Sequence, residues 1–297
     1  MRVFVTGATG FIGSAIVQEL IKAGHDVIGL ARSDAAAKSL SAAGAKVHRG
    51  DLQDLDSLRA GAGAADGVIH TGFNHDFSKF KENCENERKA VEALGSTLAG
   101  SGRPLIITSG IGLLPLGQLA TEQTMPASPN PNPRVASEEA ARAMADRGAR
   151  VSIVRLPPSV HGDGDHGFVP ILINMAREKR ASACIGEGLN RWPAVHRLDA
   201  ARLFRLALEK GAVRAYYHGV AEEGIAFRQI AEVIGRRLNV PVVSKTPAEA
   251  ATHFTWFAHF ARMDVAASSK QTQENLGWYP TQSGLIADID RPSYFKA

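Results

Sequence analysis

The sequence predicts an α/β chain built on a doubly wound parallel sheet, with a smaller C-terminal lobe. Three observations carry this. The first is the opening stretch, Arg2-Val3-Phe4-Val5-Thr6-Gly7-Ala8-Thr9-Gly10-Phe11-Ile12-Gly13-Ser14, where an apolar run enters three glycines spaced by three and continues as a helical pattern through Ala15, Ile16, Leu20 and Ile21. The second is the rhythm that follows: apolar strand patterns alternate with helical ones as far as Leu156, which is the signature of parallel strands joined by crossover helices. The third is a change of texture from Pro157 onward, to short turns, amphipathic helices and mixed strands. Residues 1–156 are therefore expected to form the dinucleotide-binding core, with 194–220 returning to it, and 157–193 and 221–297 to form the smaller substrate lobe.

Each element has its own signal. The strand before Gly7 and the helix after Gly13 enclose a turn suited to anions. Amides at a helix start lack intrahelical acceptors, the macrodipole adds partial positive charge, and glycines let a diphosphate approach the backbone. Thr6, Gly7, Thr9, Gly10, Phe11, Ile12 and Gly13 are thus candidate cofactor contacts. Gly24-His25-Asp26 ends the helix, and Val27–Ala31 reads as the second strand. At its end stand Arg32 and Ser33 instead of an acid. A carboxylate there would repel a ribose 2′-phosphate, whereas a guanidinium binds one, so the expected cofactor is NADP(H). A helix over Ala35–Ala42 leads to a third strand, Ala45–Gly50, followed by Asp51 and Leu52. The fourth strand, Gly67–Gly72, brings His70 and Thr71 to the end of the sheet where the diphosphate and ribose are expected, and the polar loop Phe73–Phe77 follows. A long helix from about Phe80 to Leu98 has Cys84, Ala90, Val91, Leu94 and Leu98 on its apolar side. Arg103–Gly110 is the fifth strand. Leu113–Pro133 holds five prolines, which excludes one helix or one central strand and predicts a loop at the sheet rim. A helix from Ser137 to about Arg147 and a sixth strand, Arg150–Leu156, complete the core.

Composition limits the function. The chain has 297 residues, 44% of them hydrophobic, and a net charge of +4 from 34 basic and 30 acidic residues. The basic residues are scattered without interleaved aromatics, so nucleic acid is not an expected partner. No apolar run approaches the ~18 residues that span a bilayer, and the N-terminus enters a strand at once, so a cytoplasmic protein with no membrane partner is expected. Cys84 and Cys184 are far apart and lack a CxxC pattern, so both are read as buried apolar side chains. His161, Asp163, Asp165 and His166 lack the spacing of a known metal site, and no metal is expected.

The turn Thr6-Gly7-x-x-Gly10-x-x-Gly13 resembles that of the extended and atypical short-chain dehydrogenase/reductases, the superfamily of the sugar epimerase/dehydratases. Later landmarks resemble it in order: Thr108-Ser109-Gly110, Arg155-Leu156-Pro157-Pro158-Ser159-Val160-His161-Gly162 where the family has an Arg followed by Val-Tyr-Gly, and Ala194-Val195-His196-Arg197-Leu198-Asp199-Ala200 for its V-H-V-x-D-x-A segment. The resemblance implies the Rossmann fold and a nicotinamide cofactor. It also implies contacts from Asp51 and Leu52 to the adenine, Pro157 and Ser159 as cofactor neighbours, and Ser109 as the family's catalytic serine. The decisive departure is the family's Tyr-x-x-x-Lys pair, a general acid/base and its pKa-lowering partner. No Tyr precedes Tyr216. The corresponding spacing is filled by Arg134 and Glu138, which share one helix face.

Arg134 cannot yield a proton near neutral pH but can polarise a carbonyl or hold an anion. Glu138 could act as an acid only if burial raised its pKa. His161, with His75 and His166, supplies substitute acids in loops expected near the pocket. Three readings remain open: an NADP(H)-dependent oxidoreductase acting on a small carbonyl, imine or activated alkene; a non-catalytic NADP(H)-sensing protein; and an epimerase or dehydratase. The helix from Phe80 to Leu98 could pair with its twin in a homodimer. The segment His253–Phe260 could roof a hydrophobic substrate or form a core or dimer helix.

Overall fold

The computed structural model describes residues 1–127 and 131–296. Strands β1 (Arg2–Thr6), β2 (Asp26–Ala31), β3 (Lys46–Arg49), β4 (Gly67–His70) and β5 (Pro104–Gly110) alternate with helices α1 (Phe11–Lys22), α2 (Asp34–Ala42), α3 (Leu55–Gly63) and α4 (Phe80–Leu98). After a rim loop holding the short β6 (Leu119–Ala120) come α5 (Ala136–Asp146) and β7 (Arg150–Leu156). Residues 128–130 of the predicted rim loop lie outside the described residues.

With β11 (Tyr216–His218) these strands make one seven-stranded sheet, ordered β11-β7-β5-β4-β1-β2-β3, with every pairing parallel. Alternation along the strands explains the double winding, because successive side chains leave on opposite faces. Val3 and Val5 join Ile69, Ile106 and Val154 beneath α1 and α7 (Arg197–Lys210), whereas Phe4 joins Val68, Leu105 and Ile107 beneath α3, α4 and α5. The strand order reverses between β1 and β4, and the crevice at the carboxyl ends there is where such sheets bind ligands.

Beyond β7 the chain makes a second layer. Strands β8 (Ser159–His161), β10 (Arg191–His196) and β12 (Glu222–Ala226) form a small mixed sheet, and β9 (Ser182–Ile185) pairs in parallel with β13 (Val242–Lys245). Helices α6 (Phe168–Lys179), α8 (Phe227–Leu238) and α9 (Pro247–Phe254) close over them around Trp192, Phe227, Phe254 and Phe257. The segment returning to the first layer consists of α7, packed on α1, and β11, which extends the large sheet beside β7. Strand β14 (Ala266–Ala267) pairs with β6 and so ties the rim loop to the second layer. Cys84 and Cys184 are buried and free. Among the described residues no helix is long and apolar enough to cross a membrane.

Candidate active site

The glycine turn is built as a cradle. Gly7 has φ +65°, a conformation glycine adopts without strain, and a Cβ there would lie 2.8 Å from the Gly72 amide. A Cβ on Gly13 would lie 2.0 Å from the Gly7 carbonyl oxygen, so Gly13 is what lets α1 start directly against the turn. Gly10 is the N-cap of α1 and has no capping side chain, and no acidic residue lies in the first turn. Thr9 and Gly10 face solvent. The Gly10 amide closes the turn onto the Gly7 carbonyl at 2.9 Å, and the result is a helix N-terminus with neither a capping side chain nor an acid in its first turn, which fits a diphosphate.

Toward the sheet edge, Arg32 follows β2 with its side chain 82% exposed and its Nε 3.8 Å from Asp51 Oδ2. Ser33 caps α2 by accepting a hydrogen bond from the Ala36 amide at 3.2 Å, and Asp51 accepts one from the Gln53 amide at 2.9 Å. Leu52 packs against Gly72. Arg32 thus presents an exposed guanidinium, loosely paired with Asp51, just past the end of β2.

On the other side of the turn the side chains face inward. Thr6 Oγ1 lies 2.6 Å from His70 Nδ1, and Thr71 Oγ1 donates to the Thr6 carbonyl at 2.8 Å. His70 Nε2 lies 3.3 Å from Glu87 Oε2, and the other oxygen of Glu87 lies 3.3 Å from Arg134 Nη2. The same Arg134 nitrogen donates to the Thr108 carbonyl at 3.1 Å, and the guanidinium also bonds Ser137 and sits 4.5 Å above the Phe73 ring. His70 and Glu87 are buried, while Arg134 reaches the edge of the cluster with 15% of its side chain exposed. Burial, the largest influence on the Glu87 carboxyl, pushes its pKa up, but the adjacent His70 and Arg134 outweigh it and hold the carboxyl below its ordinary range.

Glu138 is fully buried. Its carboxylate accepts from Arg155 Nε at 2.9 Å, from Arg155 Nη2 at 2.8 Å and from Ser109 Oγ at 2.7 Å. Arg155 in turn donates to the Thr124 carbonyl at 2.8 Å and lies over the Tyr216 ring. Ser109, Glu138 and Arg155 are therefore one buried unit, which the partly exposed Arg142 joins at 3.9 Å from Glu138 Oε2.

The sequence pattern predicts a loop at His161. The structure places it at the end of β8, buried, with Nδ1 2.8 Å from Asp288 Oδ2 and its ring edge-on to His196. Burial lowers its pKa, outweighing the carboxylate beside it. Its Nε2 and the nearby Ser159 Oγ are buried polar atoms without a hydrogen-bond partner, and Pro157 is buried beside them. His166 is exposed and meets the Phe11 ring edge-on, and His75 is exposed between Phe73 and Phe77. Of the four polar residues His161, Asp163, Asp165 and His166, the first and third meet at Tyr294, whose hydroxyl donates to Asp288 at 3.2 Å and to Asp165 at 3.4 Å, whereas Asp163 turns to Arg291.

The segment His253–Phe260 divides its faces. Phe254 and Phe257 lie in the second core, whereas Trp256 stacks on Phe77 at 5.3 Å and Phe260 meets the same ring. This joins the loop after β4 to the second layer.

Two residues of this arrangement escaped sequence reasoning. Glu87 carried a legible signal, a carboxylate inside the apolar stripe Cys84, Ala90, Val91 and Leu94. The use of Arg155 to hold Glu138 carried none, because the partners are on different elements.

The sequence profile of the NAD dependent epimerase/dehydratase family matches residues 3–218. The chain belongs to that family. Among its relatives, protein C2A9.02 of Schizosaccharomyces pombe is 51% identical over 99% of this chain and 100% of its own. The 2-alkyl-3-oxoalkanoate reductase of Stenotrophomonas maltophilia is 27% identical over 82% of this chain and 78% of its own. The structure of DesIV, a dTDP-glucose 4,6-dehydratase from Streptomyces venezuelae with NAD bound, superposes with a TM-score of 0.79 at 20% identity, covering 99% of this chain and 97% of its own. As a family member, this chain falls within the nucleotide-binding oxidoreductase superfamily of epimerases, dehydratases and reductases.

Proposed function

We propose that this protein is an NADP(H)-dependent oxidoreductase that reduces a small carbonyl, imine or activated alkene without a Tyr/Lys proton relay. The observation that carries the reading is the pairing of an anion-ready glycine turn with Arg134 at the position of the family's tyrosine. Arg32 supports the 2′-phosphate, since its guanidinium is exposed and only loosely paired. The turn from Thr6 to Gly13 would hold the diphosphate, while the unpartnered Ser159 Oγ, buried near Pro157, offers a polar contact to the nicotinamide end.

When bound, the nicotinamide supplies or accepts the hydride. The chain's own part is electrostatic. Arg134 donates only, and its orientation is fixed by Glu87 and the Thr108 carbonyl, so it can bind and polarise an acceptor oxygen. Glu138 is committed to Arg155 and Ser109 and is not placed to move a proton. Lacking a tuned general acid costs about 10²- to 10⁴-fold, roughly 3 to 5 kcal/mol, which slows a reductase without abolishing it. An iminium substrate, already charged, needs no such acid.

The test is NADPH oxidation followed with a panel of aldehydes, ketones, cyclic imines and enones. Slow turnover that depends on one of these classes supports the reading. Tight NADPH binding with no turnover on any of them would instead favour the sensing role, which the enclosure of Glu138 and Ser109 in a buried ion-pair unit also suits.

A further inference from the structure

We infer that Arg197, a residue of the second layer, clamps the cofactor's diphosphate against the first turn of α1. This rests on the reading of the glycine turn as the dinucleotide site. Arg197 is the first residue of α7, yet its side chain reaches back across the layers. Its guanidinium lies 4.7 Å from the Phe11 ring, Nη2 donates to Ser14 Oγ at 3.0 Å, and Nη1 donates to the Asp163 carbonyl at 2.6 Å. Phe11 and Ser14 are both in the first turn of α1.

The charge balance at this point is what points to a ligand. Arg134, Arg155, Arg191 and Arg205 each sit on a carboxylate. Arg197 forms no ion pair with a carboxylate among the described residues, and the nearest candidate, Asp163, is 3.0 Å from Arg291. Burial lowers the Arg197 pKa, meaning that its charge is partly stripped of water. Its Nε is buried with no acceptor. A cation beside a helix N-terminus opposes the helix dipole, and α1 offers neither an acid nor a capping side chain to offset it. Guanidinium, helix start and dipole are therefore gathered with no carboxylate at ion-pair distance among the described residues, Asp163 acting on Arg197 only from farther off. A planar fork with unused N–H groups matches two phosphate oxygens. In the segment resembling V-H-V-x-D-x-A, Arg197 also stands where the pattern has Val.

The same side chain holds the loop from Gly162 to Gly167 through the Asp163 carbonyl, and His166 of that loop meets Phe11. A diphosphate drawn to Arg197 would thus be covered by this loop, coupling cofactor binding to the approach of the second layer.

The experiment is calorimetric titration of wild type, Arg197→Leu and Arg197→Gln with NADPH, ADP-ribose and adenosine 2′-monophosphate at two salt concentrations. Expected is a loss of about 10- to 100-fold for NADPH and ADP-ribose in both variants, with a weaker salt dependence. Adenosine 2′-monophosphate, which has no diphosphate, should bind all three proteins alike and shows that the variants are folded. Unchanged ADP-ribose affinity in either folded variant would overturn the clamp while leaving the dinucleotide site standing. A wild-type protein that binds neither NADPH nor ADP-ribose would overturn the site itself.

Discussion

Arg155 grips Glu138 through two parallel hydrogen bonds of 2.9 and 2.8 Å, with neither side chain exposed to solvent. Two charges buried this way attract strongly only because both are present, and removing one strands the other. Arg155→Met and Glu138→Gln should each lower unfolding stability, by about 3 to 5 kcal/mol for the arginine variant, which leaves a buried carboxylate with only Ser109 and the partly exposed Arg142, 3.9 Å away. The double variant Arg155→Met/Glu138→Leu should recover most of that loss. Urea denaturation of the set gives the coupling, and losses that simply add would show that the pair is not a unit.

Acid should unfold the protein through His218. Burial first, and Arg155 next, bring its pKa down to about 3, while Nδ1 lies 2.9 Å from the Ser268 carbonyl. A histidine with a lowered folded pKa contributes its full stability above its unfolded pKa, about 6.5, and that contribution is lost as pH falls toward 3. Between those values the unfolded chain binds the extra proton. His161, also lowered by burial, acts in the same direction. Thermal melts from pH 7 to pH 4 should fall steadily, and His218→Gln should flatten the slope even if it lowers the melting temperature at pH 7. An unchanged slope would remove His218 from the account.

Cofactor choice should turn on Arg32. Arg32→Ala is expected to weaken NADPH by about 10- to 100-fold and NADH by no more than about threefold, because only the former carries the 2′-phosphate that the proposed reading assigns to the guanidinium. Equal losses for both would show that Arg32 does not read the 2′-phosphate.

Arg134 and Glu87 should behave as one device. Arg134→Ala should leave NADPH affinity nearly unchanged while lowering kcat/KM about 10- to 100-fold. Glu87→Gln, which keeps the shape and removes the charge that orients Arg134, should reproduce most of that loss. Collapse of cofactor binding in Arg134→Ala would reassign the residue to the nicotinamide ribose.

The large sheet was legible because its signals are local. Alternation through Val3, Phe4 and Val5 and the glycines at 7, 10 and 13 lie within one strand-turn-helix unit, and the parallel seven-stranded sheet followed. The second layer was less legible. Its strand β8 has three residues, too short for any periodicity, so His161 read as a loop residue although Asp288 holds it from 127 positions away. Glu138 read as a candidate acid from its spacing to Arg134. What occupies it comes from β5 and β7, and such partnerships are written in the fold and not in any stretch of chain.

The enclosure of Glu138 also bears on how this protein could change by single substitutions. Lysine at 138 alone would face Arg155 as a second buried cation, and tyrosine at 134 alone would leave Glu87 without its guanidinium. The first of these steps is therefore tied to position 155, and a lysine at 138 becomes tolerable only where the buried arginine opposite it is replaced in company.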